Sequence, residues 1–77
     1  MPIVLRSGGC VVRIFLPPRE HAPPHVHVRK GGKQLAIELE SIKATRGAMR
    51  GADAREAIRL VERHRDFLLA EWRRLHD

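Results

Sequence analysis

The fold is decided by residues 25–40, which read HVHVRKGGKQLAIELE. Apolar and polar residues alternate on both sides of a central Gly31-Gly32 pair, and this alternation is typical of strands that bury one face. Two consecutive glycines suit the positive φ angles of a two-residue hairpin turn. The pattern therefore predicts an antiparallel hairpin whose strands cover residues 25–30 and residues 33–40.

A second glycine pair, Gly8-Gly9, separates residues 3–6 from residues 10–16, and these segments show the same alternation. We predict a first hairpin with strands over these two ranges. A slip of one residue would turn the apolar side chains to the opposite face, so the apolar pattern fixes the register of each hairpin. The predicted apolar pairs are Leu5 with Val12, Ile3 with Ile14, Val28 with Leu35, and Val26 with Ile37.

Two helices are predicted after the second hairpin. Ser41 is a suitable N-cap for a short helix over residues 42–46. Asp53 and Glu56 match a capping box at the start of a long helix over residues 54–75. Apolar residues recur in the long segment at steps of three and four, so this helix is expected to pack one apolar stripe against the sheet.

The predicted architecture is a single α+β domain over residues 1–77. It contains a four-stranded antiparallel sheet made of the two Gly-Gly hairpins, with the short helix and the long C-terminal helix packed on one face. The connection between the hairpins has four prolines within residues 17–24, so it cannot join a central strand. The other face of the sheet is then left open, and its side chains are candidates for function.

The chain is strongly basic, with 15 Lys and Arg residues against 9 Asp and Glu residues. This balance favours a polyanionic partner, either nucleic acid or an acidic protein. The single cysteine, Cys10, excludes an internal disulfide and is typical of a reducing cytoplasm. No apolar run approaches the roughly 20 residues that cross a bilayer, and the N-terminus lacks the basic start of a signal peptide. We therefore expect a cytoplasmic protein without membrane association.

Three of the five histidines lie within residues 21–27. His25, His27 and Arg29 share one face of the predicted strand because side chains alternate along it. Histidine changes its charge near neutral pH and is also the commonest metal ligand. Two neighbouring imidazoles beside a guanidinium therefore indicate a site for a phosphodiester, another anion or a metal ion.

One interpretation of this cluster is a metal-independent ribonuclease. His25 and His27 would serve as general acid and base, and Glu38, opposite His25 in the predicted register, would orient that ring. Cationic side chains would stabilise the charge that develops on the phosphate. The candidate nucleic-acid and phosphate-binding residues are Arg6, Arg13, Arg29 and Lys30.

Two other interpretations use the same residues. His21, His25 and His27 match the three-ligand pattern of a zinc site, with Glu38 or water as the fourth ligand. Alternatively, the open face belongs to a non-catalytic adaptor that binds protein or nucleic acid, and the histidines only dock the partner. Apolar residues predicted on the open face also favour a homodimer or a complex.

Three motifs resemble those of DUF4160, a family of short prokaryotic proteins defined as a domain of unknown function. They are MPxVxRxGG at residues 1–9, HxPPHVHV at residues 21–28 and KGG at residues 30–32. The resemblance extends to Trp72, and His25 and His27 match the family signature. Some members are regarded as toxins of type II toxin–antitoxin modules. The resemblance thus implies a toxin-like component with a small acidic antitoxin-like partner, and we expect RNA to be its target.

Overall fold

The two Gly-Gly hairpins supply four strands of a five-stranded antiparallel sheet. The computed structural model describes residues 3–15 and residues 23–76. Its strands are β1 (Ile3–Ser7), β2 (Cys10–Arg13), β3 (His25–Lys30), β4 (Lys33–Glu38) and β5 (Lys43–Gly47), and its helices are α1 (Gly51–Arg63) and α2 (Arg65–His76). The strands follow one another in chain order, with β1 and β5 at the edges. His21, most of the proline-rich connection and the end of the predicted second strand lie outside the described residues.

The second hairpin has the register that its alternation predicts. Val26 lies opposite Ile37 and Val28 lies opposite Leu35, and all four side chains are buried. The Gly31-Gly32 turn has φ angles of 57° and 81°, as a two-residue turn of this type requires. The centre of the sheet is thus built by residues that are close together in the sequence.

The first hairpin follows its predicted register only near the turn. Leu5 lies opposite Val12 as predicted, but Ile3 lies opposite Arg13 instead of Ile14. The register shifts between Ile3 and Leu5, because a β-bulge gives β1 one extra residue there. Ile14 follows the last residue of β2, yet its side chain is fully buried in the core.

The predicted short helix over residues 42–46 is wrong, because this segment forms β5 beside β4. A helix of five residues closes about one backbone hydrogen bond, so its nucleation is costly. Pairing with β4 satisfies a whole row of backbone groups, and the β-branched Thr45 favours a strand. Ser41, predicted as a helix cap, donates its hydroxyl hydrogen bond to Oε1 of Glu38 at 2.9 Å. Glu38 is also where β4 ends, two residues earlier than predicted.

The predicted long helix over residues 54–75 is divided into α1 and α2 at His64. The φ and ψ angles of His64 are −111° and 23°, and its ring Nδ1 donates to the carbonyl of Leu60 at 3.0 Å. A straight helix of this length would span about 33 Å, whereas a six-residue strand spans only about 20 Å. The break therefore lets both helices bury apolar residues over the short strands. These residues are Ala57, Leu60 and Val61 of α1, and Leu68, Leu69 and Trp72 of α2.

The predicted capping box at the start of the long helix is also wrong. Helix α1 begins at Gly51, and its N-cap residue Arg50 makes no side-chain capping hydrogen bond. Asp53 and Glu56 instead lie 3.4 Å and 2.6 Å from Nζ of Lys30 at the end of β3. Their carboxylates thus join the helix to the sheet.

Both helices pack on the same face of the sheet and form one hydrophobic core with it. Each large side chain that is fully buried there contributes about 1.5–3 kcal/mol to folding. Among the described residues, no helix combines the length and apolar character needed to cross a membrane. The sheet residues that belong to this core are Cys10, Val12, Val26, Val28, Leu35 and Ile37, with Ile14 and Leu39 next to the strand ends.

We predict that Gly47→Ala destabilises the protein by about 2–3 kcal/mol or more, because β5 could no longer lie against β4. Gly47 has a φ angle of 138°, and an added Cβ would overlap the carbonyl oxygen of Gln34 and approach Cα of Leu35 to 2.8 Å. The measurement is urea denaturation followed by circular dichroism.

The matched control is Gly31→Asn in the second hairpin. Gly31 has a φ angle of 57°, and a Cβ there would meet no atom within 4 Å. Asparagine tolerates this backbone region, so the control should lose no more than about 1 kcal/mol. Equal losses in the two variants would contradict the close contact between β4 and β5.

Candidate functional site

The open face is the face of the sheet turned away from α1 and α2. Its residues alternate with buried valines on β3, so His25, His27 and Arg29 all belong to it. Both histidines are half-buried and Arg29 is exposed. By strand pairing, the open face also carries Arg6, Val11, Arg13, Gln34, Ala36, Glu38, Lys43 and Arg46.

The imidazoles of His25 and His27 lie next to each other. Their ring centroids are 5.2 Å apart and their planes are inclined by 70°. The ring of Phe15 lies on His27 with a centroid separation of 4.4 Å and an inclination of 62°, an edge-to-face arrangement that favours packing. His27 is therefore held between two rings, and both imidazoles lie close enough to contact a single small anion.

A backbone carbonyl fixes the tautomer of His25. The ring Nδ1 lies 2.8 Å from the carbonyl oxygen of Pro23, which can only accept a hydrogen bond, so Nδ1 carries the proton. In the neutral ring, the basic lone pair is then on Nε2. The carbonyl of Pro24 accepts a hydrogen bond from the backbone N–H of Leu39 at 3.0 Å. This contact fixes the chain just before β3 and thereby the position of His25.

Glu38 is brought beside His25, as the predicted register requires. The two residues are partners on β4 and β3, and the Glu38 side chain is half-buried. Its Oε1 accepts the hydrogen bond from Ser41, which restricts the orientation of the carboxylate.

Three of the four predicted cations lie on the open face. Arg13 of β2 is the direct partner of His27. Val11 lies between Arg29 on one side and Arg6 on the other. Neighbouring strands are about 4.8 Å apart, so these guanidinium groups can reach an anion bound at the histidines.

Lys30 lies on the opposite face. Its side chain follows the alternation of the buried valines, and its Nζ pairs with Glu56 and Asp53 of α1. The hydrogen bond that Lys30 donates to Glu56 is the main cause that raises the pKa of Lys30 above its ordinary value of 10.5. The structure therefore separates Lys30 from the histidines and assigns it to the contact between sheet and helix.

Two cations that the sequence analysis missed come from β5. Lys43 is the partner of Glu38, and Arg46 is the partner of Ala36, which in turn pairs with His27. Both were missed because the segment was interpreted as a helix. The signal against a helix was its shortness together with a β-branched threonine. With these two residues, the paired strand positions that the structure describes on the open face carry five cationic side chains and the acidic side chain of Glu38.

The zinc alternative depends on a residue outside the described ranges. Within residues 3–15 and 23–76, no group of three or more His, Cys, Asp or Glu side chains is arranged to hold a metal ion. His25 and His27 are neighbours on β3, but the third predicted ligand, His21, is not among the described residues. The described part of the site is therefore a pair of imidazoles among cations.

The domain of unknown function DUF4160 has a family model that matches residues 9–73. The chain belongs to the DUF4160 family. The match runs from β2 into α2 and includes His25, His27 and most of the open face, whereas β1 precedes it. No curated protein and no solved structure matches this chain. Family membership confirms the resemblance without assigning an activity, so function has to be argued from the site itself.

We predict that the neutral ring of His25 carries its proton on Nδ1. The carbonyl of Pro23 requires a donor at this nitrogen. Nitrogen-15 NMR of labelled protein at about pH 9, where imidazoles are neutral, distinguishes the two tautomers, and His25→Ala assigns the signals. A neutral ring protonated on Nε2 would contradict the described contact.

We also predict that Lys30→Met lowers the stability of the protein more than Lys33→Met. Lys33 is the cross-strand partner of Lys30 and serves as the matched control. Because folding raises the pKa of Lys30 above 10.5, its stabilising effect is fully present below that pH and is lost as the pH rises through the folded pKa. Urea denaturation at a series of pH values measures the difference. A difference between the variants that does not shrink above pH 10.5 would show that the ion pairs are not its cause.

Proposed function

We propose that this protein is a toxin-like ribonuclease that binds RNA on the open face and cleaves it with His25 and His27. One observation carries the proposal: two imidazoles lie 5.2 Å apart on a sheet face whose described strands carry five cationic side chains. Imidazoles at this distance can act on the two ends of one phosphodiester. No metal ion takes part in the proposed reaction.

The reaction is an intramolecular transfer. His25 accepts the proton of a ribose 2′-hydroxyl through Nε2, and the 2′-oxygen attacks the adjacent phosphorus. The bond from phosphorus to the 5′-oxygen breaks, and protonated His27 donates a proton to this leaving oxygen. The products are a 2′,3′-cyclic phosphate and a 5′-hydroxyl. Each proton transfer contributes about 10²–10⁴-fold to the rate.

The neighbouring cations supply the electrostatic part of the mechanism. Arg13 is next to His27 across the β2–β3 pair, so it is the residue best placed to stabilise the extra negative charge on phosphorus. Arg46 and Lys43 lie on the other side of the histidines and extend the basic surface along β5. They would bind the phosphates on either side of the cleaved bond, and affinity would fall as salt rises.

The toxin-like role follows from charge and from the family resemblance. The chain has a formal net charge of +6, so a small acidic protein would bind it strongly and cover the open face. Such an antitoxin-like partner would block access of RNA to both imidazoles. We place this activity in the cytoplasm, where its RNA target would be available.

The packing of Phe15 against His27 favours a second candidate, a non-catalytic adaptor. An aromatic ring beside an imidazole on an exposed sheet also forms a surface on which RNA bases stack. Such an adaptor binds RNA or protein but leaves RNA intact. Both candidate functions use the open face, but only the ribonuclease cleaves the bound RNA.

We predict that His25→Ala and His27→Ala each lower RNA cleavage by at least about 100-fold, because each removes one proton transfer. The assay uses purified protein, end-labelled RNA and identification of the new ends, and the rate is expected to show a bell-shaped pH dependence. His64→Ala is the control, because this histidine lies at the junction of α1 and α2 and should leave cleavage unchanged.

Other outcomes identify the alternatives. RNA binding without turnover, lost on Arg13→Ala, would support the adaptor. Activity that disappears with a chelator and returns with zinc would support the metal site. Cleavage that is equally fast in the wild type and in the double variant His25→Ala, His27→Ala would remove the histidines from the mechanism.

A further inference from the structure

A cleft lies between the β1–β2 turn and α1, on the side of the molecule opposite to the open face. It has a volume of about 160 Å³ and is lined by Ser7, Glu56, Arg59, Leu60 and Arg63. The turn approaches the Glu56 side chain of α1, since a Cβ at Gly8 would be 3.0 Å from Oε2 of Glu56. We propose that this cleft binds a phosphate group. The proposal is independent of the RNA cleavage assigned to the histidines.

The two arginines of the cleft form a concentrated positive charge. Arg59 and Arg63 are four residues apart on α1, so their side chains are neighbours on one face of the helix, and both are exposed. Like charges at this spacing destabilise a helix by a few tenths of a kcal/mol. The described ion pairs of α1 are made by Asp53 and Glu56, and both go to Lys30. An anion between the arginines would remove their repulsion.

The acidic residue of the cleft does not cancel this charge. Nζ of Lys30 lies 2.6 Å from Oε1 of Glu56 and 3.4 Å from Oδ1 of Asp53, so these three groups together carry one negative charge, which is less than the two positive charges of the arginines. Cys10, whose pKa is influenced by the same carboxylate, is buried, and this burial raises the pKa of its thiol. The thiol therefore stays neutral at physiological pH and adds no negative charge. The cleft keeps a surplus of positive charge beside the hydroxyl of Ser7.

The donors of the cleft suit a phosphate. The guanidinium groups approach from α1, whereas Ser7, the last residue of β1, lines the cleft from the sheet side. Arginine binds phosphate oxygens through two parallel hydrogen bonds, and a phosphate monoester carries up to two negative charges to balance two arginines. The volume far exceeds the ~15 Å³ that one water requires. The phosphate has two possible sources, free phosphate and the terminal phosphate of a polynucleotide.

The test measures the melting temperature of the full chain in sodium phosphate and in sodium chloride of equal ionic strength. The double variant Arg59→Gln, Arg63→Gln removes the proposed ligands. The matched control, Arg55→Gln with Arg73→Gln, removes the same charge at two exposed positions that do not line the cleft. At ten times the dissociation constant, phosphate should raise the melting temperature of the wild type and the control by about 5–10 °C. The cleft variant should lose most of this rise.

An equal rise in both double variants, or no rise in the wild type, would overturn the proposal. Circular dichroism confirms that each variant is folded before the comparison. Ser7→Ala should reduce the rise without abolishing it, because both arginines remain. The double variant His25→Ala, His27→Ala should keep the full rise, so a failure of the proposed ribonuclease and a failure of this site give different results.

A second arm identifies the source of the phosphate. Binding of 5′-phosphorylated and 5′-hydroxyl oligoribonucleotides is compared by calorimetry in the His25→Ala, His27→Ala background, which leaves the RNA uncleaved. Tighter binding of the phosphorylated form, lost on Arg59→Gln with Arg63→Gln, supports recognition of an RNA end. Equal binding of the two forms, together with the melting-temperature rise in inorganic phosphate, supports a site for free phosphate.

Discussion

The strict alternation of side chains along β3 is the constraint on which the rest of the structure depends. Val26 and Val28 are fully buried, so the strand cannot rotate or slip without exposing them. The same constraint sends His25 and His27 to the opposite face. One strand therefore contributes both to the core and to the candidate site. The packing of the two valines fixes the positions of the two histidines.

The odd-numbered and even-numbered residues of β3 lie on opposite faces of the sheet and therefore in different electrostatic environments. The odd-numbered positions carry imidazoles and a guanidinium among other cations, whereas the even-numbered Lys30 faces α1 and is neutralised by two carboxylates. The sheet thus lies between the cations of the open face and the carboxylates of Asp53 and Glu56, which would otherwise weaken the attraction of the open face for anions. Because the histidines lie on a paired central strand, their positions are more rigid than loop positions would be.

Much of the fold could be predicted because its decisive contacts are local in sequence. The Gly-Gly turns and the alternation around them predicted the register of the second hairpin, including the pairing of His25 with Glu38, although β4 ends at Glu38 and not at residue 40. The remaining features depend on tertiary contacts. Strand β5 forms because β4 offers an unpaired edge. Asp53 forms an ion pair with Lys30 and does not cap the helix. Lys43 and Arg46 were missed at the site for the same reason, since their position requires a partner strand.

The position of β5 at the edge of the sheet has a consequence for self-association. An edge strand offers unpaired backbone groups to any extended chain, and natural proteins often block this with charge. All five residues of β5 are exposed, and two of them, Lys43 and Arg46, are cationic. A second copy that approached edge to edge would bring identical positive charges together. The β5 edge therefore resists the edge-to-edge addition of further copies into fibrils, but it stays accessible to an extended segment of negative charge.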